Sequence, residues 1–157
     1  DFKKLMKTLQ LNYSKAVNFD QTMTLMKRII SFSDKRLAAF IANSFREIFS
    51  YLSIDTEILM SSDIPKDNSL RGKDKILQIC EILGADTYYN AIGGQNLYDK
   101  KEFSEHGIVL NFVDTIPKVY SQLRTKEFVP YLSMIDVLMN NTKDEVNDLL
   151  DSFCVRY

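Results

Sequence analysis

Hydrophobic residues in the first third of the chain recur at helical spacing, which predicts three consecutive helices. The residues that mark the first helix are Phe2, Leu5, Met6, Leu9 and Tyr13. A second helix is predicted after Asn18 or Asp20, with Met23, Met26, Ile29 and Ile30 on its inner face. Ser33 is the predicted N-cap of a third helix. Its apolar stripe from Leu37 to Leu52 is wide enough to need a large partner surface, such as a sheet.

Beyond Asp55 the pattern changes to short apolar runs that alternate with helical ones. Residues 56–60, 87–90 and 108–113 are predicted strands, because each run is short and apolar with polar ends. Gly72 to Leu83 is a predicted helix that Gly84 ends. Asn96 is the predicted N-cap of a short helix that runs through Phe103 and stops at His106-Gly107. Strands and helices that alternate with short links predict parallel strands.

After an irregular stretch from Thr115 to Phe128, two further helices are predicted. The first starts after Pro130, and the second opens at a capping box formed by Thr142 and Glu145. This last helix is expected to bury Val146, Leu149, Leu150 and Phe153.

The predicted fold class is therefore α/β, with a small three-strand parallel sheet, flanking helices and a helical N-terminal layer. We expect one domain over residues 1–157, of which 1–54 form a helical part and 55–157 an α/β part. The chain has no initiator methionine, and its first residues already read as helix interior. We therefore expect it to be the later part of a longer protein.

Composition and charge exclude several functional classes. Hydrophobic residues make up 45% of the chain, charged residues 26%, and the formal net charge is −1. This balance argues against nucleic-acid binding, and no apolar run is long enough for a membrane span. Cys80 and Cys154 are expected on apolar helix faces as free thiols in a reducing, cytoplasmic compartment. With one histidine and two distant cysteines, no metal site is predicted, and no cofactor can be identified.

Several blocks of the chain, in this order and spacing, resemble the WbqC-like family. The blocks are Leu59-Met60-Ser61-Ser62-Asp63, Lys75-Ile76-Leu77-Gln78-Ile79-Cys80, Leu83-Gly84-Ala85-Asp86-Thr87-Tyr88, Ile92-Gly93-Gly94, Leu97-Tyr98-Asp99, Phe103, His106-Gly107-Ile108 and residues 128–139. They cover roughly residues 55 to 141. Family members typically begin with a further segment that carries a Met-Gln-Pro-Tyr sequence, and this segment is missing here.

The resemblance implies a role in the synthesis of bacterial surface polysaccharide (O-antigen). A glycine or amino-acyl group transferase acting on a small-molecule substrate is the activity it suggests. The alternative is a non-catalytic binding module for a nucleotide-sugar or a partner protein. An exposed sheet edge would also permit a homodimer.

A first candidate substrate site combines Ser61, Ser62, Arg71 and Lys73. The serines follow a predicted strand and the basic residues open the next helix, where free N–H groups favour an anion. The alternative is that the serines shape a turn and the charges are solvated.

A second candidate site lies at the glycine turn. It combines Asn90, Gly93, Gly94 and Gln95, with Tyr98 and Asp99 behind. The glycine amides could line an anion or carbonyl site, and Tyr98 could stack on a sugar or base. The alternative is a tight strand-to-helix turn with the tyrosines in the core.

Two residues are candidates for proton transfer. His106 is a conceivable general base, or it ends a helix and contacts the last carbonyls. Asp136 falls on a largely apolar helix face, where a carboxylate needs a partner. It either acts as a base towards substrate or accepts hydrogen bonds from the backbone or from a basic residue of the Thr115–Phe128 stretch.

Overall fold

The computed structural model describes residues 1–156, which form seven α-helices and three strands in two compact units. One unit contains Asp1–Ile58 and Pro117–Ser152, and the other contains Leu59–Ile116 and the C-terminal strand. The helices are α1 (Phe2–Tyr13), α2 (Phe19–Ser31), α3 (Leu37–Leu52), α4 (Gly72–Ile82), α5 (Lys100–Glu105), α6 (Met134–Asn140) and α7 (Lys143–Leu150). The strands are β1 (Thr87–Ala91), β2 (Val109–Thr115) and β3 (Phe153–Arg156).

The first unit is entirely helical and has one apolar core. Helical spacing predicted α1, α2 and α3, and the capping box predicted α7; all four are confirmed. Five side chains no more than 2% exposed form the centre of this core: Leu25, Leu52, Leu138, Met139 and Val146. They come from α2, α3, α6 and α7, so the core joins residues from both ends of the chain.

One expectation about α3 is wrong. Its N-cap is Arg36 and not Ser33, because the Asp34 carboxylate accepts a hydrogen bond from the Arg36 N–H at 2.9 Å in a turn before the helix. Part of its apolar stripe packs on the helical core, through Phe40, Ile48 and Leu52. Other members are exposed, since Leu37 is 75% exposed and Phe45 50% exposed.

The second unit holds a three-strand sheet in the order β1-β2-β3. Strands β1 and β2 are parallel, in a register that pairs Thr87 with Val109 and Ala91 with Val113. This pair confirms the α/β class. The third strand, β3, pairs with β2 in the antiparallel direction, so the prediction of a purely parallel sheet is wrong.

The source of the third strand is also different from the prediction. Residues 56–60 are extended but pair with no strand among the described residues, and Thr56, Glu57 and Leu59 are exposed. The third strand is formed instead by Phe153–Arg156, because α7 ends before it, at Leu150.

Helix ends in the α/β unit follow local chemistry. Gly84 ends α4 with a φ of +64°, as predicted. The N-cap of α5 is Asp99 and not Asn96, because the Asp99 carboxylate accepts from the Lys101 N–H at 2.8 Å. His106 follows the last residue of α5, and Gly107 leaves the helix with a φ of +73°.

The two cysteines occupy different elements. Cys80 is a buried free thiol on α4, as predicted, and burial raises its pKa. Cys154 is in β3, so its predicted place on a helix face is wrong. None of the helices in the described residues has the length and apolar character that crossing a bilayer requires.

Candidate functional site

An open cleft of about 740 Å³ lies on the α/β unit, directly after the turn that follows β1. Its walls come from the segment before α5, from α5 itself, and from the start of α4. The lining residues are Lys73, Gln95, Asn96, Leu97, Tyr98, Asp99, Lys100, Glu102 and Phe112. Of the residues in the two predicted substrate sites, Lys73, Gln95, Tyr98 and Asp99 line this cleft.

Three aromatic rings support one wall of the cleft. The Phe103 side chain is completely buried, and the Tyr88 ring stacks on it at 5.6 Å between centroids. Tyr98 meets the edge of the same Phe103 ring at 5.8 Å and an interplanar angle of 88°. Because Phe103 and Tyr88 are fixed in the core, they also fix the position of the Tyr98 ring at the cleft.

Charged groups of both signs line the cleft. The Lys73 ammonium pairs with the Glu102 carboxylate, and this hydrogen bond is the main cause that raises the pKa of Lys73. The Lys100 ammonium lies 6.0 Å from the centre of the Phe112 ring, within cation–π range. Asp99 and Glu102 balance the charges of the two lysines in this lining. Lys100, with the Gln95 and Asn96 amides, can contact an anionic group of a hydrogen-bonding ligand.

The glycine turn itself supports the fold next to the cleft. Gly94 is buried, and a Cβ built on it would lie 2.6 Å from Nδ2 of Asn90. Only glycine therefore lets the Asn90 side chain fold back over the turn to the Ala91 N–H. A Cβ on Gly93 would meet nothing within 4 Å. Asn90, Gly93 and Gly94 are not among the residues that line the cleft.

The remaining residues of the first predicted site lie on an exposed loop. Ser61 and Ser62 begin a short 3₁₀ turn, where the Ser62 hydroxyl donates to Asp63 at 3.0 Å. The Arg71 guanidinium donates to the carbonyl oxygens of Asn68 at 2.6 Å and Leu70 at 3.0 Å. The structure thus places these three residues outside the lining of the cleft that contains Lys73.

His106 lies near the N-terminal ends of the two parallel strands, whereas the glycine turn lies at their C-terminal ends. It precedes β2, whose first residue pairs with the first residue of β1, whereas the glycine turn follows the last residue of β1. Its Nδ1 is 2.6 Å from the Glu81 carboxylate, and its side chain is 43% exposed. A carboxylate that holds one ring nitrogen leaves the other free for proton exchange.

Asp136 belongs to the helical unit, where two tyrosines hold its carboxylate. The residue is 7% exposed. The Tyr13 hydroxyl donates to Oδ1 at 2.8 Å, and the Tyr120 hydroxyl donates to Oδ2 at 2.8 Å. Tyr120 comes from the irregular stretch, as expected of a partner, but it is neither a basic residue nor a backbone group. That part of the expectation is wrong.

The two tyrosines of this cluster have perturbed acidities. Burial, together with the hydrogen bond to Asp136, raises the pKa of Tyr13 from 10.0 to about 12. The pKa of Tyr120 is raised as well, mainly by burial. Both shifts favour the neutral phenol, which is the form that donates to the carboxylate. The cluster is therefore a set of hydrogen bonds that loses its donors at high pH.

This cluster predicts a loss of stability in alkaline solution. The contribution of Tyr13 is complete below its unfolded pKa of 10.0 and is lost as the pH rises through about 12. At about 1.4 kcal/mol per pKa unit, this loss is about 2–3 kcal/mol in the free energy of unfolding. Urea unfolding followed by circular dichroism at pH 9 and above pH 11 measures it. In Tyr13→Phe this part of the alkaline loss of stability is expected to be absent. An equal loss of stability in the variant and in the natural protein would contradict the assignment of the loss to Tyr13.

Sequence reasoning missed two features of these sites. Lys100 and Glu102 of α5 line the cleft, and no local pattern marks them as site residues. The helical spacing places Tyr13 on the apolar face of α1 and says nothing of a partner for its hydroxyl. A buried tyrosine hydroxyl needs a hydrogen-bond partner, and this requirement could have pointed to a polar contact.

Comparison with known proteins gives one match. The model of the WbqC-like protein family matches residues 1–148 of the chain. Neither a curated protein nor a solved structure matches it. The matched region includes all of α1 to α6 and both parallel strands.

Proposed function

Because the chain belongs to the WbqC-like protein family, we propose that it takes part in the synthesis of bacterial surface polysaccharide (O-antigen). The proposed activity is a cytoplasmic group transferase of the glycine or amino-acyl type. The family match over residues 1–148 is the observation that carries this proposal. Polysaccharide synthesis and amino-acyl transfer are what the family resemblance implies.

The cleft of the α/β unit is the proposed substrate site. Activated sugars and acyl donors commonly carry a phosphate or carboxylate, and Lys100 supplies a cation for such a group. Lys73 can supply a second one by exchanging its partner Glu102 for the ligand. The Tyr98 ring offers a surface on which a sugar or base can stack. The Gln95 and Asn96 amides can exchange hydrogen bonds with hydroxyl groups. These three kinds of contact support a polar, anionic small molecule as the ligand.

His106 and Asp136 are the proposed proton-transfer groups, although neither lines the cleft, so either role requires a substrate that reaches beyond it. His106 is the better suited of the two, because its imidazole is partly exposed and Glu81 orients one ring nitrogen. Asp136 would first have to release a tyrosine hydroxyl, since both of its oxygens already accept hydrogen bonds. Comparison of the steady-state turnover of His106→Ala with that of Asp136→Asn shows which of the two residues transfers the proton.

The second candidate function is the binding of a nucleotide-sugar or a partner protein without catalysis. One observation favours it: the described residues that line the cleft include no serine, cysteine or histidine to act as nucleophile or imidazole base. A protein that binds a nucleotide-sugar in the cleft but catalyses no transfer from it would support this candidate.

Thermal stabilisation by a panel of nucleotide-sugars, nucleotides and amino acids tests the site. A ligand present at a hundredfold excess over its Kd is expected to add about 2.7 kcal/mol to the free energy of unfolding. Lys73→Met should weaken this ligand at least tenfold, because it removes a cation from the cleft. Lys101→Met is the matched control, since Lys101 is on α5, 82% exposed in its side chain, and does not line the cleft.

Two results would contradict the substrate site. One is equal loss of affinity in Lys73→Met and Lys101→Met, which would indicate a general charge effect. The other is a bound ligand whose affinity is unchanged in both Lys73→Met and Tyr98→Ala.

A further inference from the structure

A groove of about 390 Å³ lies on the α/β unit between α5 and one edge of β2. Its lining residues are Lys100 and Ser104 of α5, Gly107 and Ile108 of the connecting turn, and Val109, Leu110 and Asn111 of β2. Lys100 also lines the cleft described above, so the groove and the cleft adjoin at this residue. The groove is large enough to hold a small planar ligand.

The edge of β2 at this groove has no partner strand at Leu110. On the other edge, the Val109 N–H donates to the Asp86 carbonyl at 2.8 Å, on the side of β1. Because the main-chain groups of successive strand residues point to opposite edges, the N–H and C=O of Leu110 point away from β1. The ladder between β2 and β3 begins only at Phe112. Leu110 is 3% exposed, so one donor and one acceptor are buried here without a strand partner in the described residues.

Asn111 adds a second unpaired acceptor. The residue is 4% exposed and lines the groove, and its Oδ1 atom is buried without a hydrogen-bond partner in residues 1–156. A buried carbonyl oxygen without a partner is costly, and most such groups are paired in native proteins. The groove therefore offers one N–H donor and two carbonyl acceptors. A ligand that pairs with all three must carry one acceptor and two donors.

Among the common nucleobases, guanine meets this requirement. Its O6 atom is an acceptor, and the N1–H and the N2 amino group beside it are donors. Adenine has one donor and one acceptor at the equivalent edge, and uracil has two acceptors around one donor. Lys100 is the charged residue of the described groove lining, and its positive charge complements the phosphates of a nucleotide.

We propose that this groove is the base subsite for a guanine nucleotide whose phosphates contact Lys100 and extend into the cleft. The inference rests on the function proposed above, since it names the nucleotide part of the ligand for that cleft. The Leu110 N–H donates to O6, and the Leu110 carbonyl accepts from N1–H. The Asn111 Oδ1 atom accepts from the N2 amino group. Because all three protein groups are buried, a base that leaves one of them unpaired is rejected.

Titration of the full chain with GDP, followed by two-dimensional NMR, tests the proposal. Saturable shifts are expected at the amides of Gly107 to Asn111. Inosine diphosphate (IDP) lacks only the N2 amino group and should bind about tenfold more weakly, because the Asn111 oxygen then stays unpaired. ADP and UDP carry the same phosphates with a different pattern of donors and acceptors, and each should bind at least tenfold more weakly than GDP.

Variants of the groove locate the base. Asn111→Leu removes the acceptor and should weaken GDP about tenfold, while the affinity for IDP stays unchanged. Ser104→Phe fills the groove from the side of α5 and should weaken GDP at least tenfold. Glu105→Phe is the matched control, because Glu105 is the next residue of α5, has a side chain that is 62% exposed, and lies outside the groove lining.

Four outcomes would overturn the proposal. They are equal affinities for GDP and IDP, an unchanged affinity for GDP in Asn111→Leu, equal affinities in Ser104→Phe and Glu105→Phe, and the absence of saturable GDP shifts from Gly107 to Asn111. If GDP then still shifts Gln95 to Lys100, the base subsite alone is wrong and the cleft remains the substrate site. If GDP shifts neither set of amides, the panel of nucleotide-sugars decides the function of the cleft separately.

Discussion

Replacement of Phe103 by alanine is expected to lower the free energy of unfolding of the α/β unit by about 3–5 kcal/mol. The Phe103 side chain is fully buried and contacts the rings of both Tyr88 and Tyr98. Its removal leaves a cavity under the sheet and takes away the support of the cleft wall. Hydrogen exchange of the β1 and β2 amides measures the loss, because it reports on this unit separately.

Phe153→Ala is the matched control for this prediction. It deletes the same type of side chain from the same unit, but Phe153 is in strand β3 and 45% exposed. Its cost should stay below about 1.5 kcal/mol, because little buried surface is lost. Equal costs for the two variants would contradict the placement of Phe103 at the centre of this core.

Replacement of Asp136 by alanine is expected to lower the stability of the helical unit by about 3 kcal/mol. The change removes two hydrogen bonds to a carboxylate, each worth about 1.5–3 kcal/mol, and part of this loss is recovered when water reaches the hydroxyls. Tyr13 and Tyr120 are then left with unpaired, partly buried hydroxyl groups. Hydrogen exchange in α1 and α6 gives the change in free energy for this unit.

Two further variants sharpen the result for Asp136. Asp55→Ala changes an exposed aspartate and should cost no more than about 0.5 kcal/mol. In the Tyr13→Phe background, Asp136→Ala should cost less than in the natural protein, because one of its partners is already gone. A cost that is the same in both backgrounds would mean that Tyr13 and Asp136 are not coupled.

Local chemistry made much of the fold predictable from the sequence. The Thr142–Glu145 capping box and the left-handed Gly84 depend on residues a few positions apart, and both were predicted correctly. The parallel pairing of β1 and β2 followed from the short helical link between them. Each of these features is decided within a short stretch of chain.

The wrong predictions concern contacts between distant residues. Residues 56–60 have a strand-like composition, but their state depends on whether a partner strand is available, which no local pattern reveals. Strand β3 reads locally as the end of a helix and becomes a strand only by pairing with β2, about 40 residues earlier.

The same limit applies to the candidate sites. Asp136 could be recognised as a carboxylate in need of partners, because it falls on an apolar helix face. Its partner Tyr13 is 123 residues away, and periodicity cannot supply such a pairing. Lys73 was predicted from its place at a helix start and Tyr98 from its place after the glycine turn, and both line the cleft. Glu102, which pairs with Lys73 across 29 residues, could not be predicted in this way.

Chemical-shift mapping of a nucleotide-sugar on the full chain tests the central claim, that the cleft of the α/β unit binds the substrate. UDP-N-acetylglucosamine and GDP-mannose are suitable first probes. For a probe that binds, the largest amide shifts are expected from Gln95 to Lys100 and at Phe112, which line the cleft. Two results would contradict the claim. One is a probe that binds and shifts other amides but not these. The other is a full panel of nucleotide-sugars that causes no saturable shift.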